Sequence, residues 1–316
     1  MKTRITVFII IVAVLFGCFL IYLLTPAKQK TPSDITSQDE PAAHALYVKM
    51  IETMRQAQTL SYQSEYRDEA KGKVMRRCTY TIWMKKPNYF RVGTATSKDK
   101  KGGTLIGDGN NLWIYWPNDR PCFSSEDSAD YEKTRSNVYM TEPAPIGKHS
   151  IAHQTGRLGA GMGMTIIDPS TFHGHTGSLQ PYIDWVKSIG TETIGDEACD
   201  AIEVSIMKGQ RSWYLWLSKR DNLPRKLKQV VRVSYDLIME ELWSNVTINA
   251  EIPTENFAWK PPDGWQQWRL PNPEDVLLKP GQEAPDFELL AADGKNKIKL
   301  SDYRGKVIWF YIWRAG

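Results

Sequence analysis

Cysteine and histidine are the side chains of this sequence whose spacing could build a redox or metal centre. The four cysteines stand at positions 18, 78, 122 and 199, so none forms a Cys-x-x-Cys pair with another. This spacing argues against a zinc ribbon and against an internal dithiol. His149 with His153, and His173 with His175, have spacings that can place two imidazoles on one metal ion. No third ligand is evident, so we predict no metal site and no cofactor.

A run of glycines and the net charge bear on two further functions, phosphate binding and nucleic-acid binding. Residues 159–163 read Gly-Ala-Gly-Met-Gly, but a phosphate-binding loop also needs a preceding strand, a following helix and a lysine at fixed spacing. Those are absent, so residues 117–178 are interpreted as a flexible excursion or lid. The net charge is only +4 and no long basic run occurs, which argues against a nucleic-acid partner.

The elements that would position a binding site are strands rich in aromatic residues, since the chain has 12 Trp and 14 Tyr. An apolar stripe predicts a helix over residues 42–58, and a second, short helix is predicted over residues 179–188. No strand–helix–strand alternation appears, so the sheet should be antiparallel. Period-two alternation predicts strands over residues 61–67, 77–84, 89–92, 112–116, 201–206, 213–217, 226–233 and 240–249.

Apolar side chains occupy both faces of several predicted strands. This fits a sheet with one face lining a large apolar cavity or packed on a covering helix. The alternative, in which the aromatic rings simply fill a core, stays open at this point. The candidate residues for lining a ligand cavity are Tyr80, Ile82, Trp113, Tyr115, Trp213 and Leu215.

The N-terminus carries the pattern of a membrane anchor. Lys2 and Arg4 precede an apolar run over residues 5–24, which is long enough to span a bilayer as a helix. The run exceeds the apolar stretch of a cleaved signal peptide, and residues 25–27 are a poor cleavage site. We therefore predict a transmembrane anchor at 1–25 and a linker at 26–41. The body is expected on the extracytoplasmic, periplasmic side of the cell membrane, as a single-pass protein.

Four stretches of turn and strand sequence share a pattern with a known superfamily. They are GDGNNLWIY at 107–115, GTETIGDEACD at 190–200, residues 213–217 with 223–226, and residues 252–262. On these stretches, residues 42–265 resemble the LolA/LolB-like superfamily of bacterial lipoprotein carriers. The resemblance implies an incomplete antiparallel barrel, wrapped over a helix, that encloses a cavity for acyl chains.

Residues 280–316 carry a second pattern, with Ala-Pro-Asp-Phe at 284–287, Asp-Gly-Lys at 293–295 and an apolar stretch at 307–313. The segment resembles the start of redoxins, which include peroxiredoxins and thiol-disulfide oxidoreductases. The resemblance implies that the nucleophilic cysteine would directly follow Gly316, at a helix N-terminus that lowers the thiol pKa. We therefore name no catalytic residue and expect no thiol chemistry from this truncated segment.

These patterns together predict an α+β protein. Its parts are a transmembrane helix, an antiparallel half-open β-barrel over a helix (42–265), a linker (266–279) and an incomplete thioredoxin-like segment (280–316). The predicted function is binding of a lipid or a lipoprotein acyl chain, with the membrane as a partner through the N-terminal helix. The alternative is a thiol-disulfide oxidoreductase or peroxidase in the full-length form. Either the sequence is a plain truncation, which is the favoured explanation, or a selenocysteine occupies the missing position.

Overall fold

The computed structural model describes residues 39–96, 101–123, 131–143, 154–159, 166–174, 182–269, 278–291 and 295–309. Within these ranges there is one α-helix, α1 (Pro41–Gln56), and about half of the residues lie in strands. The described protein is thus mostly β, and the predicted α+β class is wrong. Part of the error is the second predicted helix, because residues 183–188 begin a strand and residues 179–181 lie outside the described ranges.

No helix in the described ranges is long and apolar enough to cross a bilayer. The predicted anchor at 1–25 lies outside those ranges, so the transmembrane helix given in the predicted fold class is not part of the described structure.

Twelve strands form one open, curved sheet. The strands are β1 (Thr59–Ala70), β2 (Lys73–Lys85), β3 (Tyr89–Thr96), β4 (Lys101–Asp108), β5 (Asn111–Trp116), β6 (Val138–Pro143), β7 (Ile183–Ile194), β8 (Glu197–Ile206), β9 (Arg211–Ser218), β10 (Pro224–Arg232), β11 (Asp236–Ile248) and β12 (Gln266–Gln267).

The order of these strands across the sheet is β12-β6-β5-β4-β3-β2-β1-β11-β10-β9-β8-β7. All neighbours are antiparallel except β12, which pairs parallel with β6. The chain thus makes two meanders that meet where β1 pairs with β11.

Local sequence explains most of these hairpins. Each predicted strand lies within an observed strand or overruns its end by one residue, but the observed strands extend up to four residues further, and β4, β6 and β7 were not predicted. Lys71 and Gly72 both have positive φ, which is the geometry of the two-residue turn that best matches strand twist. The predicted helix over residues 42–58 is confirmed as α1, whose apolar stripe includes the buried Met50 and Met54.

The N-terminal end of α1 protects an edge of the sheet. β7 is the last strand on its side, so its outer backbone groups need partners from elsewhere. The Asp39 carboxylate accepts from the Val186 N–H at 2.7 Å, and the Glu40 carboxylate accepts from the Ser188 N–H at 3.0 Å. The Glu40 N–H donates back to the Val186 carbonyl at 2.9 Å. These bonds fix α1 beside β7.

Alternation along the strands gives the sheet a concave and a convex face. The concave face carries the main apolar core and is covered by α1. The convex face of β3–β6 is covered by residues 252–265, which we call the strap. Trp259 of the strap stacks on Tyr115 with ring centroids 4.4 Å apart, and the strap's Asn256 carbonyl accepts from Arg91 at 3.0 Å.

Residues 278–309 do not build a second core. The described part contains a two-stranded hairpin of Glu288–Leu290 (β13) and Lys297–Lys299 (β14), followed by a 3-10 turn at Leu300–Tyr303. Leu290 is 63% exposed and Trp309 is 90% exposed. Residues 307–309, the described start of the predicted central strand, are not in a strand. The predicted thioredoxin-like segment is therefore wrong for the described residues, because they form only a hairpin and a 3-10 turn and their apolar side chains are largely exposed.

Candidate functional site

Besides α1, two short segments cover the concave face. Residues 154–159 are held by the Leu158 carbonyl, which accepts from the Gly103 N–H at 2.7 Å. Residues 166–174, which we call the lid, place Ile166 and Phe172 in the apolar core. Both segments belong to the stretch predicted as an excursion or lid, and their described parts lie over the sheet.

Polar contacts hold the lid at its two ends. Near its C-terminal end, the Phe172 carbonyl accepts from the Lys86 ammonium, and the His173 imidazole lies 3.2 Å from the Tyr89 carbonyl. At its N-terminal end, the Ile166 N–H donates to Oε1 of Glu241 at 2.6 Å. The last of these bonds joins the lid to a charged group in the middle of the sheet.

Glu241 is the centre of a polar cluster on the concave face, in β11. Its Oε2 accepts from Trp243 Nε1 at 2.9 Å and from the Tyr80 hydroxyl, while the Ser64 hydroxyl lies 3.5 Å away. Cross-strand pairing explains this convergence, because Ser64 pairs with both Trp243 and Tyr80, and Tyr66 of β1 pairs with Glu241. We call Glu241, Tyr80, Ser64, Trp243 and the neighbouring Tyr62 the Glu241 cluster.

The electrostatics of Glu241 are those of a buried acid without a counter-ion. Its side chain is fully buried, and no ion pair reaches it from the part of the chain that the structure describes. Burial raises the pKa of the Glu241 carboxyl, while the hydrogen bonds from Trp243, Tyr80 and Ile166 act in the opposite direction. Burial also raises the pKa of Tyr80, and the nearby Glu241 charge raises it further.

Tyr62 is the member of the cluster with a spare polar group. It is 1% exposed, and its ring stacks on Trp243 with centroids 3.8 Å apart. Tyr80 meets it edge-on at 6.5 Å. No described residue forms a hydrogen bond with the Tyr62 hydroxyl. Buried hydroxyls seldom lack a partner in native proteins, so this group can take a partner that the described residues do not supply.

The six predicted cavity residues fall on two faces. Tyr80, Ile82, Trp213 and Leu215 are buried in the core of the concave face. Trp113 and Tyr115 lie on the convex face, next to Trp259 of the strap. The reason is the phase of β5, in which Leu112, Ile114 and Trp116 face the core. Whether any of the six contacts a ligand stays a prediction.

Sequence reasoning missed Glu241 and Tyr62. A usable signal exists for Glu241, since it stands two residues before Trp243 and therefore shares a strand face with a large aromatic side chain. An acid in the apolar phase of a strand needs hydrogen-bond partners when buried. Tyr62 has the same phase as Leu60, but nothing in the sequence shows that its hydroxyl lacks a partner.

Two of the three described cysteines, Cys78 and Cys199, are buried. No disulfide joins Cys78, Cys122 and Cys199 in the described ranges. Burial raises the pKa of the Cys78 thiol to about 12, so it is protonated at neutral pH and is a poor nucleophile. Burial likewise raises the pKa of Cys199. Cys18 and three of the five histidines, at 149, 153 and 175, lie outside the described residues.

The convex face has a groove of its own. The groove has a volume of about 620 Å³ and lies between the tip of the β7–β8 hairpin and strands β1, β2, β10 and β11. Its lining mixes apolar side chains with charges, some of them paired, such as Arg67 with Glu240. The charged side chains in its lining are Glu65, Arg67, Arg77, Lys226 and Glu240, and the apolar ones include Leu242.

The fold and the covered concave face define a class of protein: an open antiparallel half-barrel whose apolar side is closed by a helix and short segments. A family model matches residues 43–268 of this chain. That family is described as a predicted periplasmic protein, DUF2092, and the chain belongs to it. The family description agrees with the expected extracytoplasmic location, while the single-pass anchor is not shown.

Several solved structures are similar in fold at low sequence identity. A LolA superfamily protein of Nitrosomonas europaea is 11% identical, with a TM-score of 0.29, over 69% of this chain and 97% of that chain. The lipoprotein LppX of Mycobacterium tuberculosis is 12% identical, with a TM-score of 0.38, over 68% and 100%. The MucA/MucB complex of Pseudomonas aeruginosa gives 12% and 0.37, over 82% and 74%. Scores this low carry no functional argument.

The comparisons also bear on the redox interpretation. The search of curated proteins gave no significant match. The matching family is described as periplasmic and not as a redoxin or an oxidoreductase, and the described part of residues 278–309 shows no thioredoxin-like segment. The predicted redoxin and oxidoreductase assignments are therefore withdrawn, and function has to be argued from the half-barrel.

Proposed function

We propose that this protein binds an apolar ligand, a lipid or a lipoprotein acyl chain, on the concave face of its sheet in the place that the lid occupies. The observation that carries the proposal is the way in which the concave face is closed. A large apolar surface is covered by a helix and two short segments rather than by a second sheet. Such segments can separate from the sheet without breaking its strand pairing.

The energetics allow an acyl chain to replace the lid. Opening the lid exposes mainly Ile166 and Phe172, which are worth ~1.5–3 kcal/mol each when fully buried. An acyl chain gains ~0.8 kcal/mol for each methylene that it buries. A chain of about ten buried carbons therefore more than offsets the apolar contacts that the lid gives up. An acyl chain that buries only a few methylenes does not offset those contacts.

The concave face suits this ligand better than the convex groove. An acyl chain in the groove would have to remove water from Arg67, Glu240 and other charged side chains, which is costly. On the concave face it would meet Ile82, Leu215 and Trp213, three of the predicted cavity residues. Trp113 and Tyr115 are not part of the proposed site.

Co-purifying lipid and chain-length dependence test the proposal. Lipids extracted from the purified full chain are identified by mass spectrometry, and thermal unfolding is followed with added alcohols of increasing chain length. We expect a bound lipid and a melting temperature that rises with chain length, since a ligand at 100 times its Kd stabilises by ~2.7 kcal/mol. Absence of lipid together with no stabilisation by any chain would contradict the proposal.

A further inference from the structure

We infer that the ligand of the concave face carries a head group that donates hydrogen bonds and bears no negative charge, a hydroxyl or an ammonium group, and that Glu241 receives it. The inference rests on the proposed function and adds the chemical class of the head group.

The Ile166 N–H marks where the donor would sit. It lies 2.6 Å from Oε1 of Glu241, whereas the Trp243 and Tyr80 donors reach Oε2. When the lid leaves, Oε1 loses its partner, and an unsatisfied buried acceptor costs ~1–3 kcal/mol. A donor on the ligand restores that bond. Release of the lid and capture of the head group are thus one exchange of hydrogen bonds at the same oxygen.

The hydrogen-bond partners of Glu241 select the head group. Its carboxyl group is fully buried, has no ion-pair partner within the described ranges, and accepts from the Ile166 N–H and Trp243 Nε1, which can only donate; this arrangement suits an ionised carboxylate. A carboxylate or phosphate head would bring a second negative charge against it in a site of low dielectric constant. A hydroxyl donates without charge, and an ammonium group also supplies the missing counter-ion.

Tyr62 offers the head group a second contact. Its ring is fixed between Trp243 at 3.8 Å and Tyr80 at 6.5 Å, so its hydroxyl is held in place before any ligand arrives. That hydroxyl has no hydrogen-bond partner among the described residues. It can donate to or accept from a head-group atom that also donates to Glu241. Two convergent polar groups in an apolar surface are typical of small-molecule sites.

Three amphiphiles of equal chain length test the inference on the full chain. Dodecylamine, dodecanol and dodecanoate, each below its micelle concentration, compete at neutral pH with the uncharged apolar dye Nile red. We expect the amine and the alcohol to bind at least about tenfold more tightly than the carboxylate, a difference of ~1.4 kcal/mol. In Glu241→Gln this preference should shrink to about threefold or less, because the repelling charge is gone.

Tyr62→Phe provides an independent test that does not disturb the acid. Because no described residue forms a hydrogen bond with the hydroxyl, its removal should not lower the melting temperature. We expect the amine and the alcohol to bind about threefold or more weakly, which is a net hydrogen bond of ordinary strength, with dodecanoate unchanged. Unchanged binding of all three would contradict the role of Tyr62.

The outcomes separate the inference from the proposed function. Equal affinities of the three amphiphiles for the native chain would overturn the head-group assignment and leave binding of an apolar ligand intact. Failure of all three to displace the dye would count against both. If Glu241→Gln does not fold, the native comparison and Tyr62→Phe still decide the question.

Discussion

Glu241 is a buried acid whose ionisation should affect folding. Its folded pKa is raised by burial, so the folded state holds its proton more tightly than the unfolded state. The stability that it contributes is therefore fully present below the unfolded pKa, about 4.3, and is lost as the pH rises through the folded pKa. Relative to Glu241→Gln, we expect the native chain to lose up to ~1.4 kcal/mol per pH unit in that window.

Denaturant unfolding across the acidic to neutral range measures this difference. Glu240→Gln is the matched control, because Glu240 is the next acid along the same strand and faces the convex side, where it pairs with Arg67. A stability difference between the native chain and Glu241→Gln that stays constant with pH would contradict the prediction.

At the residue scale, the sequence pattern selected aromatic and aliphatic residues as candidates for lining a cavity, and it did not point to Glu241 or Tyr62. Tyr80 and Trp213 were found because aromatic residues in an alternating strand are visible in the sequence. Trp113 and Tyr115 lie on the convex face, and alternation could not show this because both faces of β5 are apolar. Glu241 depends on donors from β1, β2 and the lid, and such non-local contacts leave no local pattern.

Close packing between elements depends on a glycine in β4. At Gly103, an added Cβ would stand 2.7 Å from the Leu158 carbonyl and 2.8 Å from the Trp116 ring. Gly103→Ala must therefore push residues 154–159 off the sheet or shift Trp116. We expect a loss of ~1–3 kcal/mol in unfolding free energy, the usual cost of overpacking.

Gly93→Ala in the adjacent strand β3 is the matched control. An added Cβ there would meet only Thr104 Oγ1, at 3.9 Å, which is ordinary contact. Its effect should be neutral or slightly stabilising, because alanine reduces the freedom of the unfolded chain. Chemical denaturation of both variants measures the difference, and equal losses at the two sites would show that the close approach at Gly103 has no special role.

Elements fixed by residues close together in sequence were predictable, and elements fixed by contacts between residues far apart in sequence were not. Strands β1 to β3 follow from alternation and tight turns. The start of β7 was mistaken for a helix, and its true state is fixed by pairing with β8 and by Asp39 and Glu40 before α1. The strap was not predicted, because its aromatic residues acquire partners only when they fold back onto β5.

At the scale of the whole molecule, the apolar surface is concentrated in one half-barrel. The segment at 280–316 matched a redoxin pattern, but its described part exposes Leu290 and Trp309 and forms no core. A sequence pattern can therefore resemble the beginning of a fold without specifying that fold.

One large-to-small substitution on each face of the half-barrel can show which face binds the ligand. Phe172→Ala removes the apolar anchor of the lid, and Trp259→Ala removes the ring at the centre of the strap's aromatic cluster. Both should lower the unfolding free energy, by ~2–4 kcal/mol for such truncations. Only the first should alter binding, because an easier opening of the lid raises the fraction of chains that can accept a ligand.

We expect Phe172→Ala to bind dodecanol about tenfold more tightly than the native chain, since apparent affinity rises in proportion to the open fraction. Trp259→Ala should bind within about twofold of the native chain, because the strap lies on the opposite face. Displacement of Nile red measures both affinities at a temperature where each variant is folded. A change confined to Trp259→Ala would move the binding site to the convex face and contradict the role given to the lid.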